Sequence, residues 1–281
     1  GNQQAIKIMR AAALKAGFEK VEFLEEPIAA AYRIEQELSE EKIALVVDIG
    51  GGTTDICNIR LGTQKQQDYD RQQDVLSVTG TRLGGMECDK NLILKSIAPS
   101  MGLGTETTTG IPIPPLYYND MVAVDDIPRL NSFFSDDTGL EIAQTMSIAK
   151  EPEMLEKLLT VQEEKLSARL VNSSRMAKEM LSDKSHIVLP LKYIEPDYNV
   201  ELTEADLKRS MIGWMARVKS LIKECLEKSA ERPEILFITG GMSLSPIVQQ
   251  EIKAMLPDLP VVTADAFKSI SEGLSIQASK L

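Results

Sequence analysis

The chain has 281 residues, 43% hydrophobic and 26% charged, the balance of an ordinary globular protein with two domains or one two-lobed unit. A formal net charge of -11 gives no general attraction for nucleic acid or an anionic membrane, so an anionic ligand requires a local cradle of backbone N–H groups or a metal ion. Three widely spaced cysteines, Cys57, Cys88 and Cys225, exclude a disulfide framework and fit a reducing cytoplasm. No apolar stretch approaches the ~20 residues of a membrane span, and no signal peptide is visible.

The chain opens "GNQQAIKIMRAAALKAG", without Met and directly in a helical pattern: Ile6, Met9 and Ala13 share a face and Gly17 is the stop. Such a beginning is expected of a piece cut from a longer chain. "VEFL" reads as a short strand, and "EEPIAAAYRIEQEL" as a helix with Pro27 at its first position. "IALVV" (43–47) is a buried strand. "DICNIRL" alternates, with Cys57, Ile59 and Leu61 facing one way and Asn58 and Arg60 the other, which predicts a half-buried strand. The two strands flank "GGGTT" as a hairpin. Residues 63–74 are polar, an exposed turn or edge. "VLSVTG" is a further strand, Gly84-Gly85 a loop, and a helix follows.

Residues 99–135, rich in Gly, Pro and Thr without a clear period, predict a long mobile surface insertion. Helices are expected around 140–149 and 152–181, and strands within 185–202. His186 has no metal-ligand partner at a workable spacing and reads as an ordinary strand residue. The clearest helix follows, with Thr203 and Asp206 as a capping box and Leu207, Met211, Trp214, Val218, Leu221 and Cys225 as one apolar stripe. Then come a strand, the turn Gly240-Gly241, a helix with Ser245 as cap and Pro246 in its first turn, a short strand at "DLPVV" and a last helix.

Three consecutive glycines in "VVDIGGGTTD" raise a physical question, because each costs chain entropy and packs nothing. Without Cβ atoms, backbone N–H groups approach a phosphate closely. The Thr53 and Thr54 hydroxyls add donors. Asp48 and Asp55 repel phosphate, so their sensible role is to hold a hydrated Mg²⁺ or a monovalent cation that bridges to it. Gly240-Gly241 leads toward a helix N-terminus, which favours an anion, and Gly84-Gly85, followed by Glu87 and Asp89, suggests another wall of the cleft. No Walker loop or Rossmann fingerprint is present; "GLGTETTTG" lacks a preceding strand. With one histidine, neither a nucleophile triad nor zinc chemistry is credible.

Together these segments resemble the nucleotide-binding domain of DnaK-like heat-shock chaperones, in the actin-like ATPase superfold. "EEPIAAAY" is similar to that family's E-P-T-A-A-A segment, "VVDIGGGTTD" to its second phosphate loop, "LGGMECD" to L-G-G-E-D-F-D, "AKEMLS" to its adenosine-contacting helix and "ITGGMSLSP" to its adenosine loop. The insertion after residue 99 and "FKSISEGL" look most like the YegD-type branch. The resemblance implies an α/β fold: an actin-like (ribonuclease H-like) lobe with a mixed sheet flanked by helices and an inserted α+β subdomain. Residues 1–40 would be a remnant of lobe I, 41–80 and 207–281 the core of lobe II, and 81–206 the inserted subdomain, with its long insertion at 99–150.

The resemblance also implies ATP or ADP with Mg²⁺. Glu26 and Asp48 would take the catalytic positions near the metal and its waters. Gly50, Gly51, Gly52, Thr53 and Thr54 would face the phosphates, and Asp55 would help hold a cation. Gly84, Gly85 and Glu87 would line the opposite wall. Lys178 and Ser182 would approach adenosine, and Gly240 and Gly241 would border the ribose and α-phosphate. Met86, Arg175, Glu179, Met242 and Leu244 depart from the family pattern, which puts adenine specificity in question more than phosphate binding. The family's first phosphate loop and catalytic lysine have no counterpart in the sequence. The implied reading is an ATP-binding lobe whose intact protein hydrolyses ATP and engages unfolded clients or co-chaperones, the chain alone being inactive. The alternatives are a degenerate interaction module, an actin-like filament or cell-division protein, and a small-molecule kinase of the same superfold.

Overall fold

The computed structural model describes residues 2–36, 38–62, 71–262 and 268–279. At its centre β1 (Lys42–Ile49) pairs antiparallel with β2 (Thr54–Leu61) and parallel with β6 (Ile235–Thr239). β3 (Val75–Thr81) extends the sheet antiparallel to β2, and β7 (Val261–Val262) extends it parallel to β6, giving the order β3-β2-β1-β6-β7. The sheet is therefore mixed, with helices on both faces. This is the fold class that the sequence predicts.

Alternation along the strands divides two cores. Leu45, Val47, Ile49, Ile56, Leu236 and Ile238 join the larger one; Ala44, Val46, Cys57, Ile59 and Phe237 join the smaller. The continuous apolar run of β1 follows from burial on both faces. The same holds for β2, where the sequence predicts only half-burial. Asn58 is fully buried, and its amide donates to Ser229 Oγ (2.8 Å) and to the Glu231 carbonyl (2.9 Å). An amide whose NH2 group is satisfied in the interior looks like a surface residue in sequence.

On the smaller-core face, α2 (Glu26–Glu35) crosses α11 (Ser269–Ala278). The alanines of "EEPIAAAY" make this crossing close: Ala29, Ala30 and Ala31 have no exposed surface, and a Cβ on Gly273 would run into the Ala29 carbonyl. Arg33 and Glu272 form an ion pair (2.6 Å) across it. α1 (Asn2–Lys15) precedes α2. The predicted strand "VEFL" pairs with no strand among the described residues; the Val21 carbonyl accepts instead from Arg10.

On the other face, α9 (Glu204–Lys228) lies against β2 and β3. Its predicted stripe, Leu207 to Cys225, is buried throughout, and the Thr203–Asp206 capping box is formed. α3 (Gly85–Leu92) packs between α9 and α8 (Ser167–Leu181). α10 (Pro246–Met255) follows β6 after a 3₁₀ turn over Gly241–Leu244; Ser245 holds the cap position, but its side chain makes no cap hydrogen bond.

The predicted mobile insertion is instead a helical unit. α4 (Pro115–Met121), α5 (Ile127–Phe133) and α6 (Asp136–Ser147) bury Tyr118, Met121, Phe133 and Ile142 in the larger core. The first two helices carry Pro in the opening turn, and Asp126 and Ser135 cap the second and third. The expected single helix over 152–181 is two, α7 (Pro152–Glu163) and α8, broken where Lys165 turns left-handed (φ 54°). β4 (His186–Pro190) and β5 (Asn199–Thr203) form a separate antiparallel pair. Of the predicted polar segment 63–74, residues 63–70 lie outside the described residues.

Candidate functional site

The site gathers where β1, β2 and β6 end together. Asp48, the penultimate residue of β1, stands opposite Asp55 in β2 and beside Thr239 in β6. Asp48 is 3% exposed, and neither carboxylate oxygen has a hydrogen-bond partner among the described residues. Burial, then the charges of Glu26 and Asp55, raise its pKa from 3.8 to about 7. A buried carboxylate without donors is costly unless something supplies positive charge. Glu26, exposed in the first turn of α2, adds a second carboxylate to this field. Asp55 is raised by burial and held back by a hydrogen bond from Thr53. Its carboxylate lies over Gly80 of β3, where a Cβ would come within 2.5 Å of it.

Between these carboxylates runs the glycine loop. The Gly50 N–H donates to the Thr53 carbonyl (3.0 Å), closing a four-residue connection. Gly51 and Gly52 are exposed, neither has a left-handed φ, and a Cβ on either would meet nothing within 4 Å. Neither internal packing nor backbone conformation demands glycine at both positions. A ligand that needs the bare backbone at close range would demand it.

The second glycine pair docks onto this loop. A Cβ on Gly84 would come within 2.6 Å of the Gly50 and Gly51 carbonyls. Gly85 N–H donates to Gly50 O (2.9 Å) and Met86 N–H to Gly51 O (2.8 Å). The opening N–H groups of α3 are thereby satisfied, and the loop carbonyls turn toward α3. Thr54 serves the same junction: fully buried, it donates its hydroxyl to the Leu83 carbonyl (2.7 Å). Thr53, by contrast, is exposed.

A cleft of about 600 Å³ opens from the loop, between α8 and the 3₁₀ turn after β6. Gly50, Gly51 and Gly85 form its inner end, Lys178 and Ser182 one wall, and Gly241, Met242 and Leu244 the other. Lys178 is buried and committed: its Nζ pairs with Asp89 (2.8 Å) and donates to the Gly85 carbonyl (3.0 Å). Burial raises the pKa of Asp89, and Lys178 opposes that shift. Ser182 donates back to the Lys178 carbonyl (3.2 Å). Gly240, with φ +81°, sits where a Cβ would strike the Ile49 carbonyl and approach Asp48 Oδ1 to 2.6 Å. Glu87 lines a different cleft, of about 310 Å³, with Arg82 and Lys90.

Sequence reasoning places the loop and Asp48 together, and the structure does too. It also places Asp89 on a wall of the cleft, where the structure has it, but not its pairing with Lys178, and it misses Gly80, whose role depends on contact with Asp55 of the neighbouring strand.

Residues 2–93 match the family model described as MreB/Mbl protein. Over 282 residues the chain is 24% identical to the chaperone protein DnaK of Thermosipho melanesiensis, covering 96% of this chain and 37% of that one. The chain is similar to DnaK chaperones over nearly its whole length. The stromal 70 kDa heat shock-related protein of Pisum sativum is 24% identical over 276 residues, 95% of this chain and 31% of its own. The Emiliania huxleyi DnaK is 22% identical over 276 residues, 95% of this chain and 35% of its own. This DnaK-like chain thus spans about a third of the length of these relatives, and its fold is that of the actin-like ATPases.

Among the described residues, no group of three or more His, Cys, Asp or Glu is placed to hold a metal by itself. The unpartnered oxygens of Asp48 fit a hydrated cation shared with a phosphate rather than a cage built from protein. No described helix is long and apolar enough to cross a membrane.

Proposed function

We propose that this DnaK-like chain is an ATP/ADP-binding lobe of a chaperone of the YegD-type branch, working in a reducing cytoplasm. One observation carries the reading: Gly51 and Gly52 present bare backbone to open space directly beside a buried, unpartnered Asp48. The loop N–H groups bind the phosphates. Asp48 and Glu26, with Asp55, hold Mg²⁺ or another cation through water, and that cation neutralises phosphate charge. Gly240, Gly241 and Ser182 border the nucleoside.

Phosphoryl transfer needs positive charge on the transferring group from more than one side. The cation of this cleft's inner wall, Lys178, is consumed by Asp89 and Gly85. The chain alone therefore binds nucleotide weakly and does not hydrolyse it. In the intact protein, ATP turnover would drive lobe closure and the handling of unfolded clients or co-chaperones. The match of residues 2–93 to the MreB/Mbl model favours one second reading, an actin-like filament protein with the same phosphate loop.

Isothermal titration of the chain with Mg-ADP and Mg-ATP tests the proposal. Saturable binding is expected, lost in Gly51→Val and Gly52→Val with no fall in melting temperature, because neither site has neighbours to crowd. Binding by the valine variants equal to that of the unsubstituted chain would refute it. Nucleotide-dependent sedimentation of the unsubstituted chain would favour the filament reading.

A further inference from the structure

We propose that Arg175 is the base-stacking residue of the cleft, with Leu244 against the opposite face of the ring. The inference rests on the nucleotide reading above and specifies how that same cleft takes the nucleobase.

The two walls of the cleft converge on Gly85. A Cβ there would come within 2.8 Å of Met242 Sδ on one side and 3.3 Å of Lys178 Nζ on the other. From that floor, α8 carries Arg175 one turn before Lys178, and the 3₁₀ turn carries Leu244; both line the cleft. Lys178 is buried and bonded away, so it offers the ring no free charge.

Arg175 differs from Lys178 in both respects. Its guanidinium is half exposed, yet held by three hydrogen bonds: Nη1 to Glu179 Oε1 (2.6 Å), and Nε and Nη2 to Asn172 Oδ1 (3.3 and 3.0 Å). These acceptors engage the edge of the planar group and leave its faces open. An exposed i,i+4 pair contributes little to stability. Its effect here is to fix a cationic plane at the rim of a nucleoside-sized space, where it attracts an aromatic ring through cation–π and stacking forces. Leu244, 59% exposed, supplies a carbon surface to the cleft. Because three of the five N–H donors of Arg175 are used within α8 and a stacked ring meets the face of the group rather than its edge, the plane favours purines for their larger ring area and does not discriminate adenine from guanine.

The test is titration of the full chain with Mg-ADP, Mg-GDP, Mg-CDP and base-free tripolyphosphate. It compares the unsubstituted protein with Arg175→Ala, Arg175→Lys and Glu179→Gln. Both Arg175 variants should weaken Mg-ADP and Mg-GDP about three- to fivefold, since lysine keeps the charge and loses the plane. Tripolyphosphate affinity and melting temperature should not move, and the purine preference over CDP should vanish. Glu179→Gln keeps an acceptor and should fall between. Unchanged ADP binding in Arg175→Ala would overturn the inference, as would an equal loss for tripolyphosphate, which would mark a general charge effect. If the unsubstituted chain binds neither ADP nor tripolyphosphate, the nucleotide reading fails first and this one with it.

Discussion

Asp48 and Asp55 face each other directly across β1 and β2, two like charges in cross-strand register at the mouth of the glycine loop. Opposed like charges destabilise a sheet pair, and Asp48 is buried without a single donor among the described residues. The strand ends thus carry an electrostatic strain that a bound cation would relieve.

Asp48→Asn should therefore stabilise the cation-free chain in a pH-dependent way. Below pH 3.8 Asp48 is protonated in both folded and unfolded states and contributes no pH dependence. Between 3.8 and about 7 the unfolded state has lost the proton and the folded state keeps it, so stability falls as pH rises. Above about 7 both are ionised and the penalty is constant. Relaxation around the site discounts the full shift, leaving an expected gain of about 1–2 kcal/mol for Asp48→Asn at pH 8. At pH 3 the variants should melt alike. Urea unfolding at the two pH values checks this, and a gain of equal size at both would remove the electrostatic explanation.

The two threonines of the loop should separate by function. Thr54→Val removes a buried hydroxyl and strands the Leu83 carbonyl, at an expected cost of about 1–3 kcal/mol. Thr53 is exposed and touches Asp55. Thr53→Val should leave stability within about 0.5 kcal/mol and weaken Mg-ADP binding. Chemical denaturation beside calorimetry reads both. Parallel losses in the two assays for both residues would contradict the division.

How legible was this in the sequence? The long periods read through: the α9 stripe from Leu207 to Cys225, its capping box, and the apolar run of β1 all stand as predicted. The placement of the glycine loop beside Asp48 reads through as well, because it is local in the chain. The segment after residue 99 does not. Its first two helices have seven residues each, about two turns, too short for an apolar period to declare itself. Nor do the commitments of Thr54 and Lys178, whose partners lie 29 and 93 residues away in sequence. Sequence shows that a residue type suits a ligand; it does not show that a distant carbonyl has already taken the donor.

Gly273 gives a test of the α2–α11 crossing. A methyl group there meets the Ala29 backbone, which cannot step aside as a flexible side chain would. Gly273→Ala should cost about 1–3 kcal/mol by overpacking, despite alanine's better helix propensity. At Gly213, exposed on α9 with nothing within 4 Å, Gly→Ala should instead stabilise by about 0.5–1 kcal/mol. Thermal denaturation of the two variants should therefore shift in opposite directions; a shared direction would show that the crossing tolerates separation.

The buried pair of Lys178 and Asp89 is the last and most demanding case. Taking both charges out of water nearly cancels their attraction, so the intact pair is a poor source of net stability. Breaking it is another matter. Lys178→Met leaves Asp89, 3% exposed and already raised by burial, without its counter-charge, and should cost about 3–5 kcal/mol at pH 8. That cost should shrink toward pH 5, because loss of Lys178 lifts Asp89 further and protonation then removes the unpaired charge. Adding Asp89→Asn to Lys178→Met should recover much of the stability, so the double variant should be more stable than Lys178→Met alone. A double-mutant cycle in urea at both pH values resolves the coupling. If the two substitutions simply add, Lys178 acts through its hydrogen bond to the Gly85 carbonyl alone, and the floor of the cleft is held by that bond rather than by the ion pair.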